Sequence, residues 1–354
     1  MKAAVFERYG GAEVVRVAER PDPVPKPDEI LIRVVATTVS SADWRLRSLS
    51  VPRGFGPVVR LFMGITRPRK QVLGVELAGR VEAIGARVSR FSPGDEVVAF
   101  PGSGLGAHAE LIALPDSSPI VSRPAALDWD HAAALCFGGT AAVDFLLNKG
   151  ALRGGESVLV NGASGTVGSA AIQIARHAGA EVTAVCGPDG VAQARALGAH
   201  RVVDYREQDF STRGDRWDLI LDAVGNAPWS RASACLRPGG RLLMVVATMD
   251  ETLKAMFPWR SKGRRCVAGT AREHLDDVAL LARLADEGAY RPAIDTVYPL
   301  ERIVDAHRRL DSGHKHGSLV IRMPACLRQA APPAPGARRA AGGSERRPPR
   351  SARS

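Results

Sequence analysis

Apolar and polar positions alternate through the first third of the chain. Residues 2–6, 29–36, 76–84 and 96–99 each follow the period of two expected of a half-buried strand. Turn-forming clusters such as Pro21-Asp22-Pro23 and Ser92-Pro93-Gly94-Asp95 separate them. Helical periodicity begins near Trp129 and runs through Ala142 to Asn148. After Ser157, apolar runs alternate with helical stretches. Strands are expected at 158–160, 181–186 and 201–203, with helices at 167–178 and 191–197 between them. Further strands fall at 219–222 and 241–246, then a helix at 275–286 and a closing strand at 318–322. The fold class is α/β: a β-rich part followed by a doubly wound parallel sheet.

The first strand of that second part runs into Asn161-Gly162-Ala163-Ser164-Gly165-Thr166-Val167-Gly168 and then an alanine-rich helix. Such a turn leaves unpaired backbone N–H groups at a helix N-terminus, where they and the helix dipole suit a pyrophosphate. Glycine serves the sharp bend, the close approach of phosphate and the packing of helix on strand. The strand–helix–strand–helix–strand context is the one this fingerprint requires, and it implies a bound dinucleotide. A purely structural turn in another doubly wound fold is the competing reading.

The length of 354 residues suits two domains, and a hydrophobic content of 45% suffices for their cores. No apolar run is long enough for a membrane span, and the N-terminus reads as a strand rather than a secretory signal. The five cysteines (136, 186, 235, 266 and 326) lack metal-knuckle spacing and fit a reducing cytoplasm. The net charge of +11 first points to nucleic acid. However, residues 325–354 hold seven arginines and one acid, supplying +6 of it. This Pro-, Ala- and Gly-rich tail reads as disordered and offers no aromatic platform for bases, so nucleic acid is not the expected partner. The basic, partly apolar segment 52–70 reads as a short solvated loop–helix in preference to an amphipathic surface helix, a flap or a membrane-surface contact, and no membrane partner is expected.

Four motifs in order carry a resemblance. They are Gly74-Val75-Glu76-Leu77-Ala78-Gly79 with its continuation to Gly85, Phe91-Ser92-Pro93-Gly94-Asp95-Glu96-Val97, Gly138-Gly139-Thr140-Ala141-Ala142, and the glycine loop. Over about residues 1–323 the chain resembles the medium-chain dehydrogenase/reductase superfamily, in its zinc-independent, quinone-oxidoreductase-like branch. The resemblance implies a GroES-like β domain (1–127), a Rossmann NAD(P)-binding domain (128–268), a return to the first domain (269–324) and the tail (325–354). It also implies a homodimer joined through the Rossmann sheets.

Zinc-bearing relatives place a histidine at the position of Val75 and a cysteine near Ser40. Valine offers zinc no donor, so no metal is expected. His108, His131 and His307 read as surface or satisfied polar residues, and His314 and His316 flank Lys315 in a turn. By resemblance, Ser40 is the catalytic candidate, its hydroxyl bonding a substrate oxygen or the nicotinamide ribose. A serine satisfying turn backbone is the alternative. Asp43 is expected to bond nearby backbone or Arg45. Relatives carry threonine at the place of Thr140, beside the nicotinamide, although a helix cap explains it equally. The cofactor-binding candidates are Gly162, Ala163, Ser164, Gly165, Thr166, Val167 and Gly168, with Cys186, Gly187 and Tyr205 near the adenine ribose. Val246 and Ala247 are placed at the carboxamide.

The resemblance favours NADPH, while Asp189 in the loop after the second strand would repel a 2′-phosphate, which keeps NADH open. The implied activity is hydride transfer to quinones, enones or related carbonyl compounds. An enoyl-thioester reductase, and a non-catalytic NAD(P)H-binding protein with nucleic-acid contact through its tail, are the alternatives.

Overall fold

The computed structural model describes residues 1–212, 214–256 and 263–324. The expected tail lies outside them. The β-rich part contains β1 (Lys2–Phe6), β2 (Val15–Glu19), β3 (Glu29–Val39), β4 (Leu77–Ile84), β5 (Glu96–Ala99), β6 (Leu111–Pro115) and β7 (Ile120–Ser122). The parallel part holds β8 (Ser157–Asn161), β9 (Glu181–Cys186), β10 (Arg201–Asp204), β11 (Trp217–Asp222), β12 (Leu236–Met244) and β13 (Arg265–Ala268). The chain then returns through β14 (Ile294–Pro299) and β15 (Ser318–Arg322) to the first sheet.

That first sheet runs β14-β15-β3-β4-β5-β7, with β6 also paired to β3. β3 is longer than its alternation predicts. Residues 36–39 are buried on both faces and pair antiparallel with β15, so the period of two disappears while the strand continues. The six-stranded parallel sheet has the order β10-β9-β8-β11-β12-β13. Val158, Leu159 and Val160 of its central β8 are fully buried, each contributing roughly 1.5–3 kcal/mol. β12 starts five residues before the sequence expectation. It absorbs Pro238-Gly239-Gly240 with a register shift against β11, Gly239 taking a φ of 77°.

Helix Trp129–Ala133 gives way to Cys136–Val143 and then a wider π-helical turn, Asp144–Lys149, where one helix was expected. Asp144, fully buried in that turn, pairs with Lys149 at 2.8 Å and Arg272 at 3.1 Å. β8 has β9 on one side and β11 on the other, so the order in which the parallel strands are added reverses there. Its carboxyl end is the crevice where ligands of such sheets bind.

Candidate active site

Gly162, the first residue past β8, has a φ of 85° that favours glycine. Its N–H and that of Ala163 both donate to the Val185 carbonyl, at 3.1 and 3.0 Å, which stitches the turn to β9. Asn161 Nδ2 donates to Asp222 Oδ1 at 2.9 Å and to Asn226 Oδ1 at 2.7 Å, fixing the ends of β8 and β11. Helix Thr166–His177 starts at Gly165, with no side-chain cap and no acid in its first turn. A Cβ on Gly168 would stand far inside contact distance of the Gly162 carbonyl oxygen, so this helix packs on the turn only with glycine there.

The helix start opens into a cleft of about 650 Å³. Of the cofactor-binding candidates, Gly162, Ser164, Gly165, Cys186, Gly187 and Tyr205 line it, while Thr166, Val167 and Gly168 do not. Ala163 is fully buried beneath the turn and contributes backbone alone. Tyr205 lies over Gly187, where a Cβ would stand 3.2 Å from its hydroxyl. Asp189 and Arg206 lie on the same lining.

Arg206 and Lys315 were not among the sequence candidates. Lys315 Nζ donates to Thr166 Oγ1 and to the Gly317 carbonyl, both at 2.6 Å. Burial lowers its amine to a pKa of about 8. The loop that carries it is pinned to the glycine turn by Gly317 N–H on the Ser164 carbonyl at 2.9 Å. An ammonium therefore stands beside an uncapped helix N-terminus, a pairing suited to an anion. The partners are 149 residues apart in sequence, and a lysine between two histidines in a turn carries no local signal of that contact.

The nicotinamide-side candidates lie away from this part of the cleft. Val246 and Ala247 lie just past the end of β12, after Val245, and are half-buried, with Val246 against Gly225. Thr140 is buried a full turn inside helix Cys136–Val143, so it caps nothing. That helix packs closely on the start of the cofactor helix, a Cβ on Gly138 falling 2.5 Å from the Thr166 carbonyl oxygen. Its cap comes from the other sheet. Glu76 Oε2 accepts from the N–H groups of Cys136 and Phe137 at 2.9 and 2.7 Å, and Oε1 accepts from Thr38 Oγ1 at 2.5 Å. Burial outweighs these bonds and raises the carboxyl to a pKa of about 7.

Ser40 is buried and caps helix Ser41–Ser48 in a reciprocal box with Asp43. Its hydroxyl donates to Asp43 Oδ2 at 2.6 Å, so that proton serves the cap and is not directed at a substrate. Asp43 also accepts from the backbone N–H groups of Ser40 and Gly74, each at 2.7 Å, the backbone role expected of it rather than a pairing with Arg45. His108 and His307 are buried rather than on the surface. His108 Nε2 meets the Thr38 carbonyl at 2.8 Å, while both ring nitrogens of His307 lack a partner.

Among the described residues no group of three His, Cys, Asp or Glu side chains is placed to hold a metal. Val75 is buried apolar side chain where a zinc ligand would stand in zinc-bearing relatives, and the serine proton near the second position is given to Asp43. Neither of these two positions offers zinc an imidazole or a thiolate.

A GroES-like β domain beside a parallel dinucleotide-type sheet, with the crevice at the switch point, defines a two-domain oxidoreductase. The chain belongs to the medium-chain dehydrogenase/reductase superfamily, in its quinone oxidoreductase-like branch. Residues 26–124 match the alcohol dehydrogenase GroES-like domain and residues 197–321 the zinc-binding dehydrogenase family. It is similar to the quinone oxidoreductase of Sus scrofa, 32% identical over 90% of this chain and 95% of that one. It is also similar to the quinone oxidoreductase of Pseudomonas aeruginosa, 30% identical over 90% and 99%. The solved quinone oxidoreductase of Coxiella burnetii superposes with a TM-score of 0.80 at 27% identity, covering 91% of this chain and 99% of that one. The chain is accordingly an NAD(P)H-dependent oxidoreductase.

Proposed function

We propose that this enzyme is a zinc-independent reductase that uses NADPH to reduce quinones, conjugated enones or related carbonyl compounds. The observation that carries the reading is the uncapped helix N-terminus at Gly165 with the Lys315 ammonium beside it, both lining the cleft. The backbone N–H groups of Thr166, Val167 and Gly168 and the Lys315 amine hold the pyrophosphate. Gly162 and Gly165 let it approach, and Ala163 and Ser164 shape the turn. Cys186, Gly187 and Tyr205 flank the adenine ribose, while Thr140, Val246 and Ala247 border the nicotinamide. Arg206, one residue beyond Tyr205 on the cleft wall, supplies positive charge for a 2′-phosphate and offsets Asp189.

A bound nicotinamide supplies hydride; the protein supplies orientation and exclusion of water. Val75 and the Ser40–Asp43 cap leave no Lewis acid in that work, which favours quinones and enones, the acceptors that need least polarisation. The names of the relatives support the quinone.

A homodimer through the β13 edge is part of the proposal. Cys266, Val267 and Ala268 on that edge strand are half-buried apolar side chains with no strand beyond them in the sheet among the described residues. The four described cysteines are free thiols, which supports a cytoplasmic setting. No helix among the described residues is long and apolar enough to cross a membrane.

The test is a pair of fluorescence titrations with NADPH and NADH, each with and without 1,4-benzoquinone. Tighter NADPH binding with oxidation on adding quinone is the expected result. Preference for NADH overturns the cofactor assignment, and binding of neither overturns the whole reading. Light scattering of the eluting protein checks the dimer.

A further inference from the structure

Helix Gly56–Met63 is apolar on both faces. Met63 is buried, and Val59, four residues earlier, packs on the core. Leu61 and Phe62 on the helix, and Ile65 just past its Gly64 cap, are 62%, 75% and 64% exposed. Single exposed apolar residues are ordinary, but three on one short segment are not. Exposed Arg53, Arg60, Arg67 and Arg69 surround them, and no acid occurs in the sequence between Asp43 and Glu76. The neighbouring helix Met249–Met256 adds exposed Leu253 and Met256, and is joined to the segment by Met249 N–H on the Arg53 carbonyl at 2.9 Å. Its acids are engaged within that helix turn, Asp250 by Thr248 and Lys254, Glu251 by Thr248. This helix follows Val246 and Ala247 directly, so the patch lies on the nicotinamide side of the molecule.

We propose that this surface docks on an anionic phospholipid bilayer. Leu61, Phe62 and Ile65 enter the boundary between headgroups and acyl chains, and the arginines pair with lipid phosphates. A short helix combining bulky apolar side chains with arginines is the composition that lies in such an interface. Charge decides against a second copy of the chain, because self-association would set the same four arginines against each other. The docking stands on this surface alone. Its consequence for substrate rests on the proposed reductase activity: long-tailed quinones dissolve in the bilayer, and the enzyme would meet them there.

The test is co-sedimentation of the full-length protein with vesicles of phosphatidylcholine, alone or mixed with phosphatidylglycerol. Binding to the mixed vesicles, weakened by salt, and little binding to phosphatidylcholine alone are expected. The Leu61→Glu, Phe62→Glu double variant should lower the bound fraction ~10-fold or more, with unchanged unfolding curve and NADPH titration. If that variant folds poorly, Arg60→Gln with Arg67→Gln and Arg69→Gln replaces it, and should remove the salt-sensitive binding. No binding to either vesicle overturns the proposal. So does full binding by the double variant, which would assign it to the basic tail, or a concentration-dependent dimer that the variant abolishes without any vesicle binding. The measurement uses no substrate, so a failed reductase reading leaves its outcome intact.

Discussion

Replacing Lys315 with methionine separates the cost of that residue from its use. Methionine keeps an unbranched apolar stem and removes the charge. The docking of loop on helix survives, because Thr166 Oγ1 still donates to the Gly317 carbonyl at 2.9 Å. Burial has lowered the amine from 10.5 to about 8. That difference weighs against the folded state by about 3 kcal/mol at neutral pH, and the water in the open cleft returns part of it, leaving ~1–3 kcal/mol. The sign follows from proton counts. Between pH 8 and 10.5 the unfolded chain holds a proton that the folded chain has lost, so wild-type stability rises with pH across that window. The variant should therefore be more stable than wild type at neutral pH, by an advantage that fades toward 10.5. Cofactor binding moves the other way. Losing a charge-assisted bond to pyrophosphate costs about 1.5–3 kcal/mol, roughly 10- to 100-fold in Kd. Wild-type affinity should also fall as pH rises through 8, while that of the variant stays flat. Denaturant unfolding without cofactor and NADPH fluorescence titration over pH read the two effects. A Kd within ~3-fold of wild type, or a variant less stable than wild type, refutes the assignment of Lys315 to the anion site.

Gly168→Ala should abolish measurable NADPH binding and cost ~1–3 kcal/mol of stability, since the new methyl drives the helix off the Gly162 carbonyl; titration and thermal unfolding check both. For Glu76, burial holds the folded carboxyl near 7 against 4.5, so its contribution is full below pH 4.5 and is lost as pH rises through 7. Glu76→Gln should flatten that decline, worth roughly 3 kcal/mol, in unfolding curves measured across the range. Arg206→Glu should weaken NADPH ~10-fold or more and leave NADH nearly unchanged, so that unaltered selectivity between the two would remove Arg206 from the phosphate site.

What the sequence conveyed and what it hid divide along the range of the forces involved. The glycine loop is a local device. A positive φ at Gly162, a close approach at Gly168 and an uncapped helix start are all dictated within eight residues, and the loop was legible to the residue. Asp43 and Ser40 form an equally local device, yet the residue types alone did not separate a capping box from a substrate donor. The difference lies in where one hydroxyl proton points, which only the packed geometry fixes. Lys315 and Glu76 act across 149 and 60 residues of sequence, each bringing a charge from outside to the N-terminus of another segment's helix. Neither has a periodic pattern to betray it. Both charges are held at a desolvation cost, and both are displaced in pKa for that reason. A chain selected only for stability would replace them with apolar residues. Their presence at the junction between the two sheets is therefore better explained by what they hold in place. Lys315 ties the returning loop to the glycine turn, and Glu76 fixes the helix bearing Thr140 against the β domain, so on the proposed cofactor placement its two ends are set by groups that the fold tolerates rather than needs.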